Sequence, residues 1–121
     1  MVAQIKPSIR KQLEERDQYC VHCGSDYELV IHHRKNRGAG GTKGKQAEIT
    51  NGFQNLLRVC QRYNFEMEAN ATVGAAARGW GHKLAMWESL DHPVFDCTTF
   101  TWYVLDTDGG RVKVNFQNKT F

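Results

Sequence analysis

The stretch Ile31-His32-His33-Arg34 closes an apolar run, and it decides how the rest of the chain is interpreted. The β-branched centre of this run predicts a strand over residues 28–33. Two adjacent histidines fill a core poorly, but they suit a reaction site, because one imidazole can bind a metal ion while the other moves a proton. Alternation along the strand would put the two side chains on opposite faces, so they need not compete for one ion.

Length and composition indicate one globular domain spanning residues 1–121. Hydrophobic residues make up 40% of the chain and charged residues 24%, and no apolar run approaches the roughly 18 residues of a membrane span. The N-terminus has no signal-peptide pattern, so we expect a cytoplasmic protein without a membrane partner, whose four cysteines are thiols or metal ligands. The net charge of +3 permits nucleic-acid binding without establishing it.

Three further elements accompany the histidine strand. Residues 7–16 predict a helix, because a proline suits the first helical position and two apolar residues share one face. Residues 56–60 predict a second strand. Residues 64–78 are rich in alanine and are followed by Gly79, which predicts the longest helix and its end.

The other segments predict a loop and a hairpin. Residues 34–53 contain five glycines without apolar periodicity, so we expect a long loop, which in a compact domain is usually functional. Beyond Pro93, alternating stretches over residues 98–105 and 111–116 flank a Gly-Gly turn, which predicts a β-hairpin.

Taken in order, these features resemble the HNH endonucleases, and most closely the HNH proteins of actinobacterial phages and prophages. The resemblance covers residues 20–81, about half the chain. It is carried by a Cys-x-x-Cys-Gly-Ser knuckle, a His-His-Arg followed by Gly-Gly, an Asn-Leu-Leu element and a helical glutamate, which here are residues 20–25, 32–34, 40–41, 55–57 and Glu68. Residues 102–106 also resemble the closing hairpin of that subgroup. The ordered set is far more specific than the His-His pair alone.

The resemblance implies an α+β fold with a ββα-metal (HNH, or His-Me finger) core over about residues 18–81. An N-terminal helix, a long glycine-rich loop and a C-terminal β-hairpin extension over about residues 93–116 would complete it. It also implies a metal-dependent endonuclease, in the cytoplasm of a bacterial host, that hydrolyses DNA and leaves a 5′-phosphate and a 3′-hydroxyl. Mg²⁺ is the expected cofactor, with Mn²⁺, Ni²⁺ or Zn²⁺ as alternatives.

The resemblance gives five residues expected roles. His33 is the candidate general base, because a neutral imidazole can take a proton from water at pH 7. His32, Asn64 and Glu68 are candidate metal ligands; many relatives have His where Asn64 stands, and an amide oxygen suits Mg²⁺. Asn55, the middle letter of the motif, would pin the loop or orient the base. Alternatively, Asn64 is a helix cap and Glu68 an exposed acid.

The cysteines depart from the family pattern. Relatives combine two cysteine pairs into a structural zinc site. Here Cys20, Cys23 and Cys60 are present, but Tyr63 stands where the fourth cysteine is expected. Cys97 in the tail is a candidate fourth ligand; alternatively, the site is empty and Tyr63 fills its space.

The cations of the glycine-rich segment predict the DNA contact. Their charge suits the phosphate backbone, which gives affinity and salt dependence rather than sequence readout. The candidates are Arg34, Lys35, Arg37, Lys43 and Lys45. The alternative is a solvated flexible loop.

Two other functions are alternatives to the nuclease. Asn64 and Tyr63 suggest a catalytically weak or inactive HNH-fold protein that only binds DNA. The aromatic-rich tail suggests an accessory of a phage DNA-packaging terminase. His82 and His92 receive no role.

Overall fold

The computed structural model describes residues 5–35 and 44–116 and has a mixed α+β architecture. Over these residues it contains four α-helices, a two-stranded sheet and a three-stranded sheet. The elements are α1 (Pro7–Arg16), β1 (Leu29–His33), α2 (Gly44–Thr50), a 3-10 turn (Phe53–Asn55), β2 (Leu56–Cys60), α3 (Gln61–Ala69), α4 (Ala71–Gly79), β3 (Val94–Asp96), β4 (Thr101–Leu105) and β5 (Arg111–Val114). No helix in this part of the chain is long and apolar enough to cross a membrane.

The two-stranded sheet carries the histidine pair. β1 and β2 run antiparallel in a register that sets His32 opposite Leu57 and His33 opposite Leu56. Both strands match the predicted segments to within one residue. α3 begins directly after β2 and packs against both strands, so the helix faces the sheet that bears the histidines.

An apolar cluster joins β2, α3, α4 and the second sheet. Val59, Tyr63, Met67, Ala77 and Leu105 belong to it, and none is more than 2% exposed. Burying one large apolar side chain contributes roughly 1.5–3 kcal/mol relative to leaving it exposed. The cluster therefore holds α3 firmly against the strands and fixes the position of the side chains it carries.

α1 is anchored to β2 by apolar and polar contacts. Leu13 of α1 and Leu56 of β2 are both fully buried and cluster with Ile5. Asp17, at the end of α1, accepts a hydrogen bond of 3.1 Å from the backbone N–H of Arg58. The Arg58 guanidinium donates back to the Asp17 carbonyl at 2.9 Å. The predicted N-terminal helix thus braces β2 on the side away from α3.

The predicted C-terminal hairpin is formed by β4 and β5, and β3 extends it to three strands. Its turn requires Gly109, because the φ of +96° is strained for other residues. Asp106 Oδ1 accepts hydrogen bonds of 2.9 Å from the N–H groups of Asp108 and Gly110. The Gly109 carbonyl accepts a bond of 3.0 Å from Gln12 Nε2, which ties the hairpin to α1.

Two predicted segments need correction. The helix expected over residues 64–78 is two helices, because Asn70 ends α3 and its side-chain oxygen accepts two N–H groups from the first turn of α4. The glycine content predicts a loop over residues 34–53, but α2 lies within this range and the 3-10 turn begins at its last residue, Phe53. Residues 36–43 of this segment, with the Gly-Gly pair, lie outside the described part of the chain.

Candidate active site

His32 lies on the buried face of β1 and is 6% exposed. Its Nε2–H donates a hydrogen bond of 2.8 Å to the backbone carbonyl of His82. Burial lowers the pKa of the imidazole, although hydrogen bonds to His82 and to the Asn64 side chain act in the opposite direction, so the ring is neutral at pH 7. A neutral ring that donates through Nε2 presents Nδ1 as an acceptor, as metal-binding histidines do.

Asn64 and Glu68 approach His32 from α3. They lie four residues apart and therefore share one helical face. The Asn64 side chain hydrogen-bonds the His32 ring, and the charge of Glu68 also acts on that ring. α3 therefore packs against the strand that carries His32 with the face that bears Asn64 and Glu68. The alternative role of Asn64 as helix cap is wrong, because Cys60 is the cap and its Sγ accepts the Tyr63 N–H.

The Glu68 carboxylate also has a cationic neighbour. Lys83 Nζ lies 3.1 Å from Glu68 Oε1. The Lys83 side chain is 11% exposed, whereas that of Glu68 is 58% exposed, so the ammonium reaches the carboxylate from inside the protein. A divalent ion bound by Glu68 has to compete with this ammonium. Nothing in the sequence distinguished Lys83 from the other lysines.

His33 lies on the other face of β1 and is only partly buried. Its Nε2 is 2.9 Å from Oδ1 of Asn51, and because an amide oxygen can only accept, Nε2–H is the donor. If the ring is neutral, the hydrogen atom on Nε2 leaves Nδ1 as the basic nitrogen. Asn51 is 6% exposed and directly follows α2. Its role was missed because α2 itself was not predicted.

Asn55 connects the end of β1 to the segment before β2. It is 1% exposed. Its Oδ1 accepts the Lys35 N–H at 2.8 Å, and its Nδ2 donates to the carbonyls of Thr50 at 2.8 Å and Lys35 at 3.2 Å. These contacts pin the chain on both sides of the segment that follows His33, in line with one of the two roles expected for Asn55. None of them reaches an imidazole.

The expected DNA contact of Arg34 is wrong. Its side chain lies in the interior, and the residue is 1% exposed. The guanidinium donates to four backbone carbonyls, at distances of 2.6–3.2 Å, which are those of Gln54, Gly81, Leu90 and His92. Burial lowers its pKa to about 9, so it stays charged at pH 7. Arg34 therefore joins three chain segments around the site and is not available to phosphate.

The other predicted DNA-binding cations are less constrained. Lys45 is exposed on α2. Lys35 is partly buried, and its Nζ donates to the Met86 carbonyl at 3.2 Å near the surface. Arg37 and Lys43 lie outside the described residues. The described part of the segment thus supplies two surface cations.

Three of the four cysteines form a cluster that can hold a metal ion. The Sγ atoms of Cys20, Cys23 and Cys60 all lie within 4.8 Å of one another, and Cys97 is not part of this group. Cys20 is fully buried and Cys23 is exposed. Burial raises the pKa of Cys20 to about 11. Cys60 therefore lies next to the knuckle that contains Cys20 and Cys23, as the sequence predicts. The prediction of Cys97 as fourth ligand is not supported.

His82 is central to the contacts around the site, and no sequence pattern predicted its role. It is fully buried. Its Nε2–H donates to the Phe95 carbonyl at 2.7 Å, and its Nδ1 accepts the Tyr63 hydroxyl at 2.6 Å. Burial lowers its pKa to about 3, so the ring is neutral. Through its own carbonyl it also holds His32.

Comparison with known proteins identifies no family for this chain. No protein-family model, no curated protein and no solved structure matches it. Function is therefore inferred from the contacts around the two histidines and the thiol cluster.

Proposed function

We propose that this chain is a metal-dependent HNH endonuclease that hydrolyses DNA phosphodiester bonds, with β1, β2 and α3 as its ββα-metal core. One observation carries the proposal. His32 and His33 leave β1 on opposite faces, and each interacts with different side chains: Asn64 and the charge of Glu68 act on His32, and Asn51 accepts a hydrogen bond from His33. One imidazole is thereby suited to a metal and the other to a proton.

His32 Nδ1, the Asn64 amide oxygen and the Glu68 carboxylate would hold the metal ion. The donor set fits, because His32 already donates its other N–H to a carbonyl and because two of the three ligands are hard oxygen atoms, which suit Mg²⁺ or Mn²⁺. When bound, the ion supplies a Lewis acid that neutralises charge on the phosphate and the leaving 3′ oxygen.

His33 would act as the general base. The Asn51 oxygen fixes the ring through Nε2–H, and Nδ1 can then accept a proton from the attacking water. His33 is partly buried, so a phosphate group can approach it. Attack by water on phosphorus, with departure of the 3′ oxygen, leaves a 5′-phosphate and a 3′-hydroxyl.

Lys35 and Lys45 would bind the phosphate backbone beside the reacting group. Lys45 is exposed on α2, the helix that precedes Asn51. Contacts of this type give salt-dependent affinity without sequence readout. We further propose Zn²⁺ for the thiol cluster, because thiolates favour this borderline-soft ion over Mg²⁺.

A DNA-binding protein with weak or no catalysis is the second candidate. The ion pair between Lys83 and Glu68 favours it, because an ammonium 3.1 Å from a metal-binding carboxylate opposes metal binding. The terminase accessory is a third. It is suggested by Phe100, which directly precedes β4 and is 81% exposed.

Cleavage of supercoiled plasmid in Mg²⁺, Mn²⁺, Ni²⁺ and Zn²⁺ separates these functions. The nuclease predicts nicked or linear product with at least one ion, no product with EDTA, and ends that DNA ligase can reseal. Salt-dependent DNA binding without cleavage in any of the four ions would contradict the nuclease and support the second candidate. If neither binding nor cleavage occurs, the first two candidates fail together.

A further inference from the structure

The spacing of the sulfur atoms in the thiol cluster matches that of a metal site. The Sγ atoms of Cys23 and Cys60 are 3.7 Å apart. Two thiolates bound to one tetrahedral Zn²⁺ at about 2.3 Å are about 3.8 Å apart. Cys20 completes the group within 4.8 Å. The three sulfurs therefore need only a small adjustment to bind one ion.

The knuckle itself is built for this arrangement. The Gly24 N–H donates to the Cys20 carbonyl at 2.8 Å, and the Cys20 N–H donates to the Ser25 carbonyl at 2.8 Å. Gly24, directly after Cys23, has a φ of +77° that closes the turn containing both cysteines. On the opposite side, Cys60 caps α3 with its sulfur. Backbone geometry thus holds the sulfurs on both sides of the site.

Tyr63 occupies the sequence position at which a fourth cysteine ligand is expected, and its side chain is bonded to another residue. Tyr63 follows Cys60 at the same spacing as Cys23 follows Cys20, but its hydroxyl donates to His82 at 2.6 Å. A phenol whose proton is held by a buried imidazole is a poor metal ligand.

Neither of the other nearby donors completes the group. The His22 ring stacks on Tyr63 with centroids 4.0 Å apart and planes 4° apart, which holds the imidazole against that ring. Cys97 lies outside the cluster, and its N–H is bonded to the Val21 carbonyl at 2.8 Å. Among the described residues, therefore, three sulfurs are the complete set of assembled ligands.

We propose that this cluster is a three-thiolate metal site whose fourth coordination position is open and exchangeable. The exposed side of the cluster, at Cys23, gives solvent access to the ion. The site takes a borderline-soft divalent cation together with water or one small monodentate donor such as imidazole. Structural zinc sites are closed by four protein ligands, whereas a site with three protein ligands keeps one position for exchange. The open site is independent of nuclease activity.

Cobalt substitution tests the open position by optical absorption. Co²⁺ added to the reduced, metal-free protein is expected to bind at one equivalent with thiolate charge-transfer bands. Titration with imidazole should then shift the visible d–d bands, because the donor replaces water on the ion. Cys97→Ala should behave as the wild type does, and Cys23→Ser should lose roughly a third of the charge-transfer intensity.

Tyr63→Cys provides the matched closed site, because it supplies a fourth thiolate three residues after Cys60. In this variant the charge-transfer intensity should rise and the visible bands should no longer respond to imidazole. The wild type decides the question even if Tyr63→Cys does not fold. No Co²⁺ binding, a wild-type spectrum that imidazole does not change, or a spectrum altered by Cys97→Ala would overturn the open three-thiolate site.

Discussion

The Nε2–H of His32 donates a 2.8 Å hydrogen bond to the backbone carbonyl of His82. The His82 ring is itself held between the Tyr63 hydroxyl and the Phe95 carbonyl. The candidate metal ligand on β1 thus takes its orientation from a buried histidine between α4 and β3. Tyr63 also joins His82 to α3, the helix that Cys60 caps. His82 is therefore linked both to the candidate active site and to the end of α3 that lies beside the thiol cluster.

Acid should destabilise the protein through His82. Burial lowers its pKa to about 3, against an unperturbed value of 6.5, so the unfolded chain binds the proton more readily. This contribution to stability is complete above pH 6.5 and is lost as the pH falls from 6.5 towards 3, by up to about 1.4 kcal/mol per pH unit. Urea denaturation at several pH values should show this slope.

The His82→Gln variant is the control for the acid prediction. Glutamine keeps hydrogen-bonding groups but does not titrate, so its stability should fall less steeply below pH 6.5. Burial also lowers the pKa values of His22 and His32, so part of the slope should persist. Equal slopes in the wild type and His82→Gln would show that His82 is not the group responsible.

Arg34→Lys should lower the stability of the fold. Lysine cannot reproduce the fork that reaches four carbonyls. Each buried carbonyl that is left without a donor costs about 1–3 kcal/mol. Chemical denaturation of Arg34→Lys measures the loss. Lys35→Met, at the adjacent surface position, should change stability by less than about 0.5 kcal/mol; an equally small change for Arg34→Lys would contradict the structural role.

Lys83→Met should strengthen divalent-metal binding. The variant removes the ammonium that lies 3.1 Å from Glu68. Because Glu68 is largely exposed, we expect a gain of about 0.5–1 kcal/mol, or a two- to fivefold lower Kd for Mn²⁺ in calorimetry. Glu68→Gln should weaken the same binding.

Arg62→Met is the matched control for Lys83→Met. Arg62 also forms an ion pair at 3.1 Å with a glutamate of α3, Glu66, but Glu66 is not a candidate ligand. Its removal should leave the Mn²⁺ affinity unchanged. If Lys83→Met binds Mn²⁺ no more tightly than Arg62→Met does, Glu68 is not a ligand of the ion.

Local pattern was enough to predict β1, β2, α1 and the hairpin of β4 and β5, but not β3. The apolar run before His32 and the glycine turn at Gly109 carry their signals within a few residues. The break between α3 and α4 was missed although Asn70, two residues before Thr72, is a typical N-cap. Alanine content outweighed this single residue in the prediction of one long helix.

The contacts that orient the site depend on tertiary structure. The sequence could not show that Arg34 is buried, because its four carbonyl partners lie far along the chain, within residues 54–92. The hydrogen bond between Asn51 and His33 was not predicted, because the glycines of this segment indicated a loop where α2 lies. His82 has no neighbouring motif at all. The role of His32, Asn64 and Glu68 as metal ligands stays a prediction from the ordered pattern to which they belong.

The most direct test of the nuclease is plasmid cleavage by His33→Ala in Mg²⁺. His92→Ala is the matched variant, because its ring packs on Phe116 and not at the candidate site. Loss of the general base should slow cleavage about 10²- to 10⁴-fold, while His92→Ala cleaves at close to the wild-type rate and both variants keep the wild-type circular dichroism spectrum. Cleavage by a folded His33→Ala protein at the wild-type rate would contradict the proposed role of His33 and with it the proposed division of labour between the two histidines.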